Sequence, residues 1–531
     1  MSKNMPLFKS WVPDWFIKFT IFIVVLPTLL LFNLSLVNVN AATGYYGIEP
    51  ADVQYSMIVF YVALVSYISL EKRFFVFVAA KEYFIVGTLI QMLAAYVCFR
   101  TSNFYVLLVF RFIQGMANCG TTSISLNLIF SRLHSDKARE IGYSVFYGML
   151  VCMAPMSMFL TSSLIDTYDF RFLYKAAIFC YIPGAVILYN ILNTVRLHKR
   201  IPLYQLDWAS FIIYSSFLCL LGYIFIYGQQ YLWFEDQRIV WSTVAMVSLL
   251  GLHLFRQRNL KRPAHDLRVF NFKNFLIGIF LMFVLYVSRG SLNIATQYFG
   301  TALKMDPIHI GKLMAVNIVG IVLGVIISSR MLLSKRPLRL ILIYGFVFLL
   351  VFHVMMSFLF DSVADASSFI VPLTLQGLGA GMLMTPIIIF SVSAVPQAMA
   401  NTASGITAVF RFIGFCTSIA LINYFSLYRK TDHINRLQGQ LSTLNAVALE
   451  RLAIYKQMFV AKGIPEDQAV KMSNKMLSES IDIQAQLQSA VDYFNWIGSL
   501  LVLVVLIVAL IPFIHRTIIN LKSRLPVPIS Y

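Results

Sequence analysis

Charge is scarce in this chain, and negative charge scarcest of all. Only 12% of its 531 residues are Asp, Glu, Lys or Arg, with 23 carboxylates against 42 basic groups. So few charges cannot clothe an ordinary water-exposed globular surface. The six cysteines (Cys98, Cys119, Cys152, Cys180, Cys219 and Cys416) all fall inside apolar runs. That placement argues against a disulfide framework or a thiolate metal cluster. No G-x-x-x-x-G-K-[ST] stretch occurs, which argues against an ATPase. No nucleophile-base pair stands out either. The expectation is a protein that is not an enzyme and uses no cofactor or metal.

What the chain has is apolar length: 59% of it is hydrophobic. About 20 apolar residues cross a bilayer as a helix. By that criterion there are about fourteen spans, near 16–38, 53–70, 83–99, 104–131, 141–164, 173–194, 207–228, 239–255, 275–301, 309–333, 339–360, 368–395, 402–427 and 493–515. The fold class expected is an all-α polytopic membrane protein. Ala41 and Ala42 follow the first span, but its length and its polar Asn33, Ser35, Asn38 and Asn40 favour an uncleaved helix.

The net charge of +19 would suggest a polyanionic partner in a soluble protein. Here position decides its meaning. Lys72, Arg73 and Lys81, then Arg132, Lys137 and Arg139, then Arg196, Lys199 and Arg200, all follow even-numbered spans. Odd-numbered loops hold little beyond Arg100, Arg171, Arg238 and Lys304. Basic loops stay in the cytoplasm, so both termini are expected there, in a plasma (inner) membrane. Nucleic acid is not an expected partner; membrane lipid and a small-molecule substrate are.

Polar residues inside spans carry the functional signal. Arg111 lies well inside the fourth span, with Gln114 and Asn118 on the same helical face. A guanidinium at that depth costs at least ~2.5 kcal/mol, so it should face protein interior or a wet cavity. Arg289, Asn293 and Gln297 follow at i, i+4 and i+8 in the ninth span, and Arg411 sits early in the thirteenth. The plainer reading of each is hydrogen bonding between helices, worth ~0.6 kcal/mol per bond. All 23 carboxylates fall in loops, termini or span ends. His353, in the eleventh span, is the one histidine at mid-membrane depth, and its ordinary pKa near 6.5 suits a proton carrier.

One connection is unlike the others. Residues 428–492 form a polar segment on the outer side by this topology. Leu437, Leu441, Leu444, Val447 and Met458 recur at helical spacing, and Gly463-Ile464-Pro465 breaks the run before Glu466-Asp467 opens a second helix. The expectation is an extracytoplasmic helical hairpin. Its role is either a solvated connection or a docking face for a periplasmic partner.

Several motifs in order carry a resemblance. They are Arg111-Phe-Ile-Gln114-Gly115; Phe170-Arg171-Phe172; Asp207-Trp208; and Thr296-Gln297-Tyr298-Phe299 with Pro307 and Gly311. Later come Gly377-Leu-Gly-Ala-Gly381, Pro386, Val395-Pro396, Ala403-Ser404-Gly405 and Arg411-Phe-Ile-Gly414. In this order they resemble the fourteen-helix drug:proton antiporters, the EmrB/QacA-type branch of the major facilitator superfamily. Departures are equally specific. Asn33 stands at an acidic position of the first helix, followed by Ser35, Asn38 and Asn40; Leu70 to Lys81 keeps only the final lysine of the loop signature; and Ala154-Pro155-Met-Ser lacks the fifth helix's glycines.

The resemblance implies a major facilitator fold. Residues 1–200 form a six-helix half, 201–270 two linker helices and a cytoplasmic loop, and 271–531 a second half including hairpin 428–492. It implies multidrug-efflux-like export of apolar or amphipathic compounds by alternating access. The hairpin would meet a periplasmic adaptor and, through it, an outer-membrane channel. The alternatives are uptake or exchange of an anionic solute through Arg111, Arg289 and Arg411, and a membrane scaffold or sensor that has lost coupling residues. Asn33, Asn38, Arg111, Gln114, Asn118, Arg289, Asn293, Gln297 and Arg411 are the expected translocation path, with His353 as proton-coupling candidate. Gly115, Pro155, Gly377, Gly381, Pro386 and Gly405 are the expected packing positions.

Overall fold

The computed structural model describes residues 8–77, 79–131, 138–194, 207–260, 263–439, 441 and 445–510. The basic residues at 132–137 and 196–200, the side chains of Lys72, Arg73 and Arg139, Leu444 and the end of the last expected span lie outside the described parts. Helices account for nearly everything described. In chain order they are α1 Asp14–Val37, α2 Val39–Tyr46, α3 Pro50–Phe77, α4 Ala80–Arg100, α5 Phe104–Ser131, α6 Ala138–Thr167 and α7 Phe172–Ile191. Then follow α8 Trp208–Tyr227, α9 Gln237–Asn259, α10 Lys273–Arg289, α11 Ser291–Thr301, α12 Pro307–Leu333, α13 Leu338–Leu359, α14 Ile370–Ser393 and α15 Ala400–Tyr424. The series ends with α16 Lys430–Gly439, α17 Ala446–Ala461 and α18 Glu466–Leu510.

Among the described residues, thirteen helical segments are long and apolar enough to cross a membrane. Helix α5 is not one of them. It is 28 residues long, but Arg111, Gln114, Asn118 and a run of small polar residues dilute its apolar content. Such a helix is tolerated in a bilayer only when its neighbours enclose it.

Helices α1 and α3–α7 pack on one another; α10 and α12–α15 form a second group, with α18 laid against α13. The groups meet where α12 and α14 lie on α6 and where α15 lies on α3. Helix α8 packs on α3 and α15, and α9 rests outside it on α8. Asp207 caps α8 by accepting from Ser210 N at 3.1 Å and pairs with Arg256 of α9 at 2.8 Å. Burial opposes ionisation of this carboxyl, but the hydroxyl and guanidinium bonds outweigh it and hold its pKa below the usual range.

Backbone contact in the second group depends on glycine. A Cβ at Gly377 would lie 2.3 Å from Asn317 O, one at Gly381 2.3 Å from Ile321 O, and one at Gly320 2.3 Å from Thr374 O. Small residues let α12 and α14 touch backbone to backbone, which supplies the packing that hydrophobicity cannot drive inside a lipid phase. Gly115 does the same for α5 and α3, its missing Cβ lying 2.2 Å from Phe60 O. Gly405 differs: nothing lies within 4 Å of its added Cβ, so its expected role in close packing finds no contact. Pro386 is buried inside α14, and Pro155 interrupts the hydrogen-bond ladder of α6.

Three expected elements differ in detail. The first span ends at Asn38, where φ −123° and ψ 42° break the helix before α2. The ninth divides at Gly290 into α10 and α11, and only glycine fits there, since a Cβ would lie 1.5 Å from the Ser418 hydroxyl oxygen. The hairpin's second helix does not stop near Tyr493. Between Glu466 and Leu510 there is no proline and a single glycine, so the helix runs on into the last span for 45 residues, roughly 67 Å. Helix α16 and the residue before it are clipped to α18 by Arg429–Asp492 at 2.7 Å, Lys430–Asp482 at 2.8 Å and His433–Asp492 at 2.9 Å. Helix α17 packs on α18 after a turn at Gly463, whose φ of 81° favours glycine.

Candidate functional site

Three adjoining pockets lie between the two helix groups. The widest, about 350 Å³, is lined by Asn38, Gln54, Pro155, Asn293, Thr296, Gln297 and Ile310 among others. A waist shares Ala154, Pro155, Leu292, Asn293 and Ile419 with it and adds Asn33, Tyr286, Arg289, Asn317, Gln376, Phe415 and Ser418. A deep pocket shares Phe32, Tyr61, Leu150 and Tyr286 with the waist and adds Asn118, Cys119, Phe146, Met153 and Arg411. The walls turn from amide-rich to aromatic along this line. Among the described residues, none lining the three is Asp or Glu.

The two cationic groups on these walls also tie the helix groups together. Arg289, at the end of α10, donates to Val151 O of α6 at 3.1 Å. Arg411 of α15 donates through Nε to the Tyr61 hydroxyl of α3 at 2.8 Å. Both guanidiniums lie near the Tyr286 ring, at 5.4 Å and 5.9 Å from its centroid. An aromatic face attracts a cation, but it does not neutralise one. Among its described residues the site therefore carries positive charge with no carboxylate on its walls to answer it.

Arg111 behaves differently. It is fully buried, donates to Gln114 Oε1 at 2.9 Å and Leu31 O at 3.4 Å, and stacks 4.6 Å from the Phe60 ring centroid. Neither Arg111 nor Gln114 lines any of the three pockets. They join α5 to α1 and α3. Asn118 serves both roles, donating to Thr28 O at 2.5 Å while lining the deep pocket. Asn38 donates to Leu34 O at 3.0 Å and lines the wide chamber; Asn33 lines the waist. Arg289, Asn293 and Gln297 share one wall despite the break at Gly290.

His353 lies off the cavity, buried in the second group, with Nε2 2.6 Å from Ser291 Oγ. Asp52 and Asp361, carboxylates at span ends, do not line the pockets; Asp52 accepts from Tyr227 OH at 2.5 Å. Sequence reasoning missed Tyr61 and Tyr286, because lipid-facing rings dominate the aromatic count. It also missed Asn317, which donates to Gln376 Oε1 at 2.6 Å in the waist. Two amides inside apolar spans were the available signal.

A family model described as Major Facilitator Superfamily matches residues 16–419. The chain belongs to that superfamily. Two curated members are similar in sequence. The multidrug export protein EmrB of Escherichia coli K12 is 22% identical over 436 residues, 81% of each chain. The colistin resistance protein EmrB of Acinetobacter baumannii is 25% identical over 363 residues, 67% of this chain and 69% of that one. A solved POT family transporter in complex with 5-aminolevulinic acid shares the fold at a TM-score of 0.62. It is 11% identical and covers 96% of this chain and 99% of that one. As a superfamily member, the chain is a multi-pass membrane transporter.

Proposed function

We propose that this transporter exports apolar or amphipathic compounds by alternating access, the two helix groups rocking about the cavity between them. The observation that carries the reading is the cavity itself, built from both groups, aromatic at depth and amide-rich at its wide end. Helix groups 1–200 and 271–531 act as the moving bodies, and the relatives' multidrug export supports the direction. Transport of an organic anion is the second reading, favoured by Arg289 and Arg411 standing on the walls without a carboxylate.

The basic loops support cytoplasmic termini in the inner membrane, which places hairpin 428–492 outside. Val447, Leu449, Ile454 and Val460 of α17 stay exposed although α18 packs against that helix. Apolar side chains left uncovered on the outer hairpin offer a contact surface, and a periplasmic adaptor leading to an outer-membrane channel is the partner that reading calls for.

One set of assays tests these points. Purified protein in liposomes should move 8-anilinonaphthalene-1-sulfonate or rhodamine 6G across the bilayer; movement of neither overturns the transport reading, and preference for the sulfonate favours the anionic one. Replacing 432–488 by a short linker should spare that movement and eliminate efflux from cells, whereas retained efflux removes the adaptor. In intact cells an impermeant thiol reagent should label Lys471→Cys and spare Arg258→Cys; the reverse pattern inverts the topology.

A further inference from the structure

Among the described residues the cavity walls carry no acid, and the histidine buried in the second helix group stands apart from them, yet hydroxyl groups connect the two. His353 Nδ1 is 2.7 Å from Leu349 O. A carbonyl only accepts, so Nδ1 bears a hydrogen and Nε2 of the neutral ring is an acceptor. Nε2 faces Ser291 Oγ at 2.6 Å. The same Ser291 hydroxyl also lies 2.7 Å from Ser288 O. One hydroxyl hydrogen cannot serve both partners at once.

The arrangement accordingly has two complete states. With a neutral ring, Ser291 donates to Nε2. With a protonated ring, Nε2–H donates to Ser291 Oγ, whose own hydrogen turns to Ser288 O. Neither state leaves the imidazole short of a partner, so the proton can come and go without repacking the core.

The chain of hydroxyls continues. Tyr493 of α18 sets its hydroxyl beside Ser291 and Ser418. The Tyr493 and Ser418 hydroxyls are both buried without an aligned hydrogen bond. Ser418 lines the waist of the cavity next to Gly290, so the line from the waist to Nε2 runs Ser418, Tyr493, Ser291. A small rotation or one bridging water closes its gaps.

The surroundings isolate the ring. Phe352 and Phe494 pack on it at 5.0 Å and 5.2 Å between centroids, and no charged side chain acts on it. Helix α14 contains no ionisable residue, and those of α12 (His309, Lys312 and Arg330) sit at its ends. From α18 the titratable group on this side is Tyr493, and from α10 it is Arg289 at the waist. An ionisable group buried inside a membrane domain is costly to keep there, which makes it a candidate functional site.

We propose that His353 is the proton site of this transporter, reached from the cavity waist through the hydroxyls of Ser418, Tyr493 and Ser291. The proposal rests on the transport reading above. A proton arriving at Ser418 oxygen releases that hydroxyl's hydrogen to Tyr493; Tyr493 passes its own to Ser291, and Ser291 passes its own to Nε2. One proton enters, one N–H bond forms, each hydroxyl ends with one hydrogen, and no other reactant is needed. Release runs the line in reverse.

The test separates driven transport from exchange. In liposomes, whichever of the two probes the wild type carries is followed under a pH gradient and as gradient-free exchange. His353→Gln keeps the size and hydrogen bonding of the ring but cannot titrate. It should lose driven transport by about tenfold or more, hold exchange within about twofold of wild type, and flatten the pH dependence of exchange. Tyr493→Phe, which breaks the line but keeps the imidazole, should slow driven transport while leaving the pH dependence of exchange in place. Undiminished driven transport in His353→Gln overturns the proposal. So does loss of both modes in a variant that melts like wild type, because His353 would then serve exchange and not coupling. A wild type that exchanges the probe but ignores the gradient overturns the relay alone; one that moves neither probe overturns the transport reading first.

Discussion

Arg111 and Arg411 head the same tripeptide, Arg-Phe-Ile, each inside a membrane-depth helix, and the structure gives them opposite surroundings. Arg111 spends its donors within the first helix group, on Gln114, the Leu31 carbonyl and the Phe60 ring. Arg411 stands on the deep cavity wall and reaches across to Tyr61 of the other group. The first has local partners within three residues or on adjoining helices; the second has its partner on the other helix group. An intramembrane arginine is therefore glue or path according to which body holds its acceptors. The residue's own depth does not decide it.

The largest expected effects fall on Arg111. Arg111→Ala removes a large buried side chain and strands Gln114, which should cost about 2–5 kcal/mol of stability. Purified protein should melt well below wild type and accumulate poorly in the membrane. Arg411→Ala should melt within a few degrees of wild type and lose probe transport. Equal melting for both variants would break the comparison.

A second contrast is smaller and tests packing alone. Gly115→Ala would drive a methyl into the Phe60 carbonyl. Overpacking of this kind costs about 1–3 kcal/mol. Gly405→Ala meets nothing within 4 Å and should change stability by less than about 1 kcal/mol. Thermal melting of the two variants side by side checks this; a Gly115→Ala protein as stable as wild type would mean that α3 and α5 are free to separate.

These cases show what the sequence made legible. Apolar length delivered the helices and the membrane, because it follows from the solvent and needs no partner. Residues within one expected span came out together, as Arg289, Asn293 and Gln297 do, since i, i+4 spacing survives even the break at Gly290 between α10 and α11. What pairs with what across helices stayed hidden. Arg111 and Arg411 read alike until Tyr61, 50 positions before one and 350 before the other, turns out to face only Arg411. The length of α18 was obscured by a change from polar to apolar composition near Tyr493 that leaves the helix unbroken. The hydroxyl line from Ser418 to His353 draws on four helices, and no pattern within one of them announces it.

The smallest effect sharpens the comparison most. Tyr61→Phe keeps the ring in its place among Phe32, Phe412 and Phe415, with centroids 5.0, 5.3 and 5.6 Å away, and deletes only the oxygen that accepts from Arg411. One hydrogen bond inside a membrane domain is worth ~0.6 kcal/mol, so the balance between the two access states should move by a factor of about three. Stability should hardly change, because the ring packing is intact. Cys119 lines the same deep pocket and is buried to 2% exposure, which makes it a native reporter. With the other five cysteines replaced, its reaction with N-ethylmaleimide should quicken about threefold in Tyr61→Phe and remain at the parental rate in Gly405→Ala. A Cys119 rate unmoved by Tyr61→Phe would place the Arg411 contact outside the conformational change, and Arg411 would then be glue of the same kind as Arg111.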